Sequence, residues 1–189
     1  MKNIVFFDLE TRRSAAQVGG WHETAKMGMS VGVTYSTADQ AYHIYTQDEA
    51  EALIEELRAA DLVVGYNHIG FDYGVLQAFT FWTIAGVTRN LDICTDLSEK
   101  LGHRIKLDSV AKMTLGGHSK TAEGTDALKW WAEYEATGNP ELMLNIAKYC
   151  CYDVKVTMEV FNFGVDNGYV LYEDRQGNAV QIDVDWKRD

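Results

Sequence analysis

The chain has 189 residues, of which 47% are hydrophobic and 12% aromatic, with a single proline; this excludes a disordered polymer and fits one folded domain able to bury a sizeable core. Lys and Arg number 17 against 28 Asp and Glu, a formal net charge of −11, which weighs against a non-specific duplex binder, whose footprint is basic. No apolar run approaches the roughly 18 residues of a membrane span, and the short stretch Ile4–Phe7, closed by Asp8, does not fit a signal peptide.

In chain order, Lys2 to Leu9 is rich in β-formers and reads as a buried strand. Arg12 to Met29 has no steady period and contains Gly19-Gly20, so a loop with one short helical turn is expected. Two further strands follow, Met29 to Tyr35 and Ala41 to Tyr45, joined through the turn-like Ser36-Thr37-Ala38-Asp39. Thr46 or Asp48 suits the cap of a helix in which Leu53, Ile54 and Leu57 recur at helical spacing. Leu62 to Gly65 is a short apolar strand, and Phe71 to Phe81 is predicted as a helix. Leu91-Asp92-Ile93-Cys94 is a fifth strand candidate, followed by short helices around Leu97 to Leu101 and Leu107 to Leu115.

Ala127 to Ala136 is predicted as another helix. Asn139-Pro140 starts a long one, since asparagine caps and proline suits the first turn; Leu142, Ile146, Cys150, Val154 and Phe161 form its stripe, and Gly168 ends it. Alternation at Val170 and Tyr172, and again from Val180 to Trp186, predicts a hairpin turning at Asp174–Asn178. Three early strands, then alternating helices and strands, predict an α/β fold: a mixed sheet flanked by helices, one domain over residues 1–189, with residues 169–189 as a C-terminal hairpin appendage. Cys94, Cys150 and Cys151 show no CxxC spacing and are odd in number, so reduced thiols in a cytoplasmic protein are expected.

Charge is unevenly placed. Between Lys100 and Lys120 stand Lys100, Arg104, Lys106, Lys112 and Lys120, with His103 and His118, against the single acid Asp108. Chemistry is sought where acids interrupt apolar elements, because an ionised carboxylate beside a core is costly unless paired or bound to a cation. Asp8 and Glu10 are two residues apart at a strand end and so share a face. Asp72 stands where a strand hands over to a helix, and Tyr149 and Asp153, four apart, share one face of the long helix. Such oxygen-rich sites suit Mg²⁺ or Mn²⁺.

Phe7-Asp8-Leu9-Glu10-Thr11 resembles the first motif of the DEDD superfamily of ribonuclease H-like 3′–5′ exonucleases, Asn67-His68-Ile69-Gly70-Phe71-Asp72 the second, and Tyr149-Cys150-Cys151-Tyr152-Asp153 the third. The last has the Tyr-x-x-x-Asp form of the tyrosine subgroup; the histidine subgroup would place its base where this chain has Lys148. The loop after the first motif, with its arginines and glycines, is similar to that of bacterial ribonuclease H-like domain proteins. The resemblance implies a ribonuclease H-like fold with the first three strands antiparallel, and two divalent metal ions. It implies that Asp8 bridges both metals, that Glu10 and Asp153 complete the site that activates water, that Asp72 holds the second metal, and that Tyr149 orients the attacking water. Thr11, Asn67, His68 and Phe71 would face the terminal nucleotide.

The implied reaction is hydrolysis at the 3′ end of single-stranded DNA or RNA to nucleoside 5′-monophosphates, with a protein partner as one possible source of targeting. The rivals are a silent nucleic-acid or protein-binding module and an endonuclease. Arg12, Arg13, Arg104, Lys106 and Lys120 are candidate phosphate contacts, each balanced by the plainer role of a solvated charge. Trp21, in the loop after the first motif, is the tryptophan best placed to stack on a base; the other four are expected to pack internally.

Overall fold

A computed structural model describes residues 2–117 and 124–188; the expectations for His118 and Lys120 fall outside them. The central sheet has five strands in the order β3-β2-β1-β4-β5: β1 (Ile4–Thr11), β2 (Met29–Ser36), β3 (Ala41–Tyr45), β4 (Leu62–Gly65) and β5 (Asn90–Asp92). β1, β2 and β3 pair antiparallel, as expected, and β4 and β5 extend the sheet in parallel from the other edge of β1. Eight helices punctuate the described strands: α1 (Ala15–Val18), α2 (Ala50–Ala59), α3 (Asp72–Leu76), α4 (Ile84–Val87), α5 (Ile93–Leu101), α6 (Leu107–Thr114), α7 (Gly124–Thr137) and α8 (Pro140–Asn167). A hairpin, β6 (Tyr169–Glu173) and β7 (Ala179–Asp183), closes the chain.

The period of two along β1 divides the core. Ile4 and Phe6 enter a cluster shared with α5, α6 and α8, whereas Val5, Phe7 and Leu9 enter one shared with α2 and α3. Phe6 meets Phe161 of α8 edge-on, and Phe7 stacks on Tyr73 of α3. Asp8 and Glu10 continue the row of Ile4 and Phe6, so the same alternation that builds the core turns both acids toward α8.

α8 forms as its ends dictate. The Asn139 side chain accepts from the Glu141 N–H, Pro140 opens the first turn, and Gly168 leaves in the left-handed region at φ 76°. The hairpin that follows is fastened to the body: Val170, Ile182, Val184 and Trp186 are buried in the α8 cluster, and hydroxyls of α6 lace β6 to it. Thr114 Oγ1 exchanges hydrogen bonds with the Leu171 N–H and carbonyl at 2.9 Å each, and Ser109 Oγ does the same with Glu173 at 3.1 and 3.4 Å.

Two local readings are corrected. The helix expected over Phe71–Phe81 stops early: α3 covers Asp72–Leu76, a 3-10 turn covers Gln77–Phe79, and Thr80 is extended. The Gln77 side-chain amide satisfies the carbonyls of Thr80 and Trp82, which stabilises that exit. Leu91–Cys94 is not one strand either, because β5 ends at Asp92, whose carboxylate accepts from the Thr95 N–H and caps α5. The Arg12–Met29 loop holds α1 and a 3-10 turn at Thr24–Lys26.

Candidate active site

The first strand, the start of α3 and the middle of α8 bring four acids to one end of the parallel strands. Carboxylate oxygens of Asp8, Glu10 and Asp153 lie within 4.8 Å of one another. Three carboxylates so close repel one another when ionised, a repulsion that a cation among them relieves, and the set of hard oxygen donors fits Mg²⁺ or Mn²⁺. Asp72 approaches from α3. The pairing of β1 with β4 ends at Phe6; further along β1, Asp72 Oδ1 accepts from the Leu9 N–H at 3.2 Å. Burial, and then the neighbouring charge of Asp8, push the Asp72 carboxyl well above its usual range.

Cys150 packs beneath this cluster. Its thiol lies 3.4 Å from both the carbonyl and the Oδ2 of Asp8, and burial first, then Asp8, raise its pKa well above normal. It is therefore a neutral donor to the acid rather than a nucleophile. Cys151 is half-buried, and burial raises its thiol too.

Beside the acids opens a hollow of about 1070 Å³, lined by Glu10, Thr11, Arg13, Trp21, Phe71 and Tyr149 among others. Tyr149 thus reaches the same space as Glu10, from the turn of α8 before Asp153. Thr11 is buried at its rim, with Oγ1 donating to the Arg13 carbonyl at 3.1 Å. Trp21 is 74% exposed and meets the Phe71 ring edge-on at 6.0 Å, so two aromatic rings face the hollow from one side.

Other candidates are placed elsewhere. His68 is fully buried, with Nε2 3.2 Å from Asn90 Oδ1 and its ring edge-on to Tyr73. The Asn90 amide nitrogen donates to the Thr88 carbonyl, so Oδ1 is the acceptor and Nε2 carries the ring proton. Burial lowers the His68 pKa, with Asp92 opposing. Gly65 makes room for the ring: a Cβ there would stand 2.7 Å from Nδ1. His68 therefore packs behind the second motif and is not part of the lining of the hollow beside the acids. Asn67 lines a neighbouring hollow of about 410 Å³ with Arg104. Arg12 is turned inward, its guanidinium 4.4 Å over the Trp131 ring and its Nε donating to the Met29 carbonyl at 2.9 Å; Arg13 faces the hollow in its place.

The residue that motif reading missed is Asp92. Its two oxygens accept from the N–H groups of Asn67 at 2.8 Å, Ile69 at 3.0 Å and Thr95 at 3.2 Å. Asn67 holds a left-handed φ of 66°, and the two bonds from this loop pin the backbone that delivers Asp72. A buried acid at the end of a strand was the available signal.

The five-strand order and the acid cluster define a ribonuclease H-like nuclease fold with a candidate metal centre. A family model of the RNase H superfamily matches residues 5–163, and the chain belongs to that superfamily. Comparison with curated proteins found no significant match. Among solved structures, the chain is similar to the family B DNA polymerase of the hyperthermophilic archaeon Pyrobaculum calidifontis, with TM-score 0.64, 16% identity and coverage of 87% of this chain and 25% of that one. It is also similar to E. coli Exonuclease I in complex with a dA16 oligonucleotide, with TM-score 0.51, 11% identity and coverage of 88% and 41%. The chain thus spans less than half of either relative, and at these identities the likeness concerns the fold.

Proposed function

We propose that this chain is a metal-dependent exonuclease that hydrolyses the 3′-terminal phosphodiester of single-stranded DNA or RNA and releases nucleoside 5′-monophosphates. The observation that carries the reading is the convergence of Asp8, Glu10 and Asp153 within 4.8 Å beside a hollow that Tyr149 and two exposed-edge aromatics line. Asp8, Glu10 and Asp153 would hold one divalent ion, and Asp72 with Asp8 a second. Bound there, the ions would supply the Lewis acidity that makes water nucleophilic at neutral pH and the charge that steadies the leaving oxygen.

The chain's own groups do the rest. A phenol is a poor general base at neutral pH, so Tyr149 instead orients the attacking water through its hydroxyl. Phe71 and Trp21 offer faces and edges on which the terminal base can stack, a contact indifferent to sequence. Arg13 supplies a cation toward the terminal phosphate. A net charge of −11 disfavours wrapping a long duplex and favours an end threaded into a local site. The order of the three motifs and the Tyr-x-x-x-Asp spacing support 3′–5′ polarity, and the shared fold with an exonuclease is consistent with it.

The test uses 5′-labelled and 3′-labelled DNA and RNA oligonucleotides with Mn²⁺, beside an Asp8→Asn, Glu10→Gln variant. A descending ladder from the 5′ label with early loss of the 3′ label, abolished in the variant, is expected. Internal fragments would replace this reading with an endonuclease. Binding without cleavage under varied metals would replace it with a binding module.

A further inference from the structure

A second hollow, of about 790 Å³, lies between the loop that joins α5 to α6 and the β6–β7 hairpin. It gathers cations in a chain that is otherwise acidic. Arg104 and Lys106 come from the loop, Lys112 from α6 and Arg175 from the hairpin turn, while Tyr172 forms part of the wall. Lys112 is committed to Glu173, at 2.8 and 2.9 Å from its two oxygens. Asp174 is committed to its own turn, accepting from the N–H groups of Gln176 and Asn178. Arg104, Lys106 and Arg175 are exposed, and no ion pair holds them among the described residues.

The walls are also fixed before any ligand arrives. The hydroxyls of Ser109 and Thr114 tie β6 to α6, and the Tyr66 hydroxyl donates to the Ile105 carbonyl at 2.8 Å, which holds the loop. Lys106 and Asp108 line this hollow and the one beside the carboxylates alike. The two hollows therefore share a wall, acidic at the candidate metal centre and, with Arg104, Lys106, Lys112 and Arg175 against Asp108, Glu173 and Asp174, richer in cations at the hairpin. A ligand that fills both hollows needs a reactive end and a repeating anionic backbone, which is the chemistry of a nucleic-acid strand.

We propose that the hairpin groove carries the substrate strand on the 5′ side of its terminal nucleotide, with Arg104, Lys106 and Arg175 contacting backbone phosphates and Tyr172 offering a face to a base. The proposal rests on the exonuclease reading of the adjoining site. It makes the hairpin, which the family match at residues 5–163 does not include, part of the substrate track.

The test compares wild type with an Arg104→Glu, Arg175→Glu variant and with the conservative Arg104→Lys, Arg175→Lys variant. Binding of a 5′-fluorescein 12-nucleotide DNA or RNA strand is read by anisotropy in EDTA across a salt series, and cleavage with Mn²⁺ is followed on the 12-mer and on a trinucleotide. Loss of two phosphate contacts is expected to weaken 12-mer binding about tenfold or more and to reduce the log–log salt slope by about 1.4. The lysine variant is expected to keep the slope, and trinucleotide cleavage to fall by far less than 12-mer cleavage in the charge-reversed variant. Wild-type affinity and slope in the charge-reversed variant would overturn the groove, as would an equal loss on the trinucleotide. If wild type cleaves no strand, the exonuclease reading falls, while the anisotropy series still decides the groove by the same criterion.

Discussion

Two carboxylate centres stand at the same end of the sheet and are built in opposite ways. Asp92, at the end of β5, accepts three backbone N–H groups at 2.8–3.2 Å, so its charge is compensated by fixed dipoles of the fold. Asp8, Glu10 and Asp153 are crowded within 4.8 Å, and Asp8 helps to drive the Asp72 carboxyl far above its usual pKa. One centre spends its charge on structure; the other brings three carboxylates into a set that could hold a metal ion. Burial alone does not separate them, since Asp72, Asp92 and Asp153 are all buried. The partners do.

That contrast can be broken by substitution. Asp8→Asn with Glu10→Gln is expected to lower kcat/KM about 10³-fold or more, the several kcal/mol of metal-borne stabilisation it removes. The metal-free variant is expected to melt no lower than wild type, because carboxylate repulsion is relieved; a matching drop in melting temperature would mean these acids hold structure. Asp92→Ala should behave inversely. Leaving three N–H groups without their acceptor is expected to cost about 3 kcal/mol, a fall in Tm of roughly 6–12 °C for a chain of this size. Unchanged Tm in calorimetry would remove Asp92 from its supporting role.

Smaller effects sharpen the picture around the acids. Tyr149→Phe is expected to lower kcat about ten- to a hundredfold with KM held, consistent with a hydroxyl that orients water; a pure KM effect would place Tyr149 in binding instead. Trp21→Ala should raise KM about tenfold at nearly constant kcat, the range of one base–aromatic stack, and an unchanged KM would leave Trp21 as a bystander.

The smallest effect lies far from the site. His43 Nδ1 lies 2.8 Å from Glu56 Oε1 and Nε2 3.0 Å from Asp39 Oδ2, and the Glu56 hydrogen bond chiefly raises its pKa. A raised folded-state pKa gives stability that is complete below the ordinary value of about 6.5 and fades as pH rises through the folded value. Wild type is therefore expected to exceed His43→Gln by under about 1 kcal/mol at pH 5.5, the gap narrowing toward pH 9 in denaturant titrations. A gap that widened with pH would reverse the assignment.

Much of this was legible in the chain. Runs of apolar β-formers gave the first strands and alternation the terminal hairpin, Asn139-Pro140 and Gly168 bounded α8 at both ends, and the spacing of Asp8 with Glu10 and of Tyr149 with Asp153 put each pair on one face. What was not legible depends on contacts between distant segments. Asp92 sits in an apolar run that reads as strand, yet it ends β5 because the N–H groups of a loop some 25 residues earlier converge on it. His68 belongs to a motif expected to face a nucleotide, but Gly65 opens a buried slot that takes its ring. Arg12 and Arg13 are neighbours of the same type, and the Trp131 ring and the Met29 carbonyl, both distant in sequence, draw Arg12 inward. The cations at Arg104 and Lys106 were visible as a run, whereas their junction with Arg175 required the hairpin to fold back on α6.

The most direct test of the contrast between the two centres is a Mn²⁺ titration of thermal stability on wild type, on Asp8→Asn with Glu10→Gln, and on Asp92→Asn. Metal that binds the native state raises Tm in proportion to RT ln(1 + [L]/Kd). The expected result is a concentration-dependent rise in wild type and, from a lower baseline, in Asp92→Asn, with none in the double variant. An equal rise in all three, or no rise in wild type at millimolar Mn²⁺, would contradict the assignment of Asp8, Glu10 and Asp153 as the metal centre.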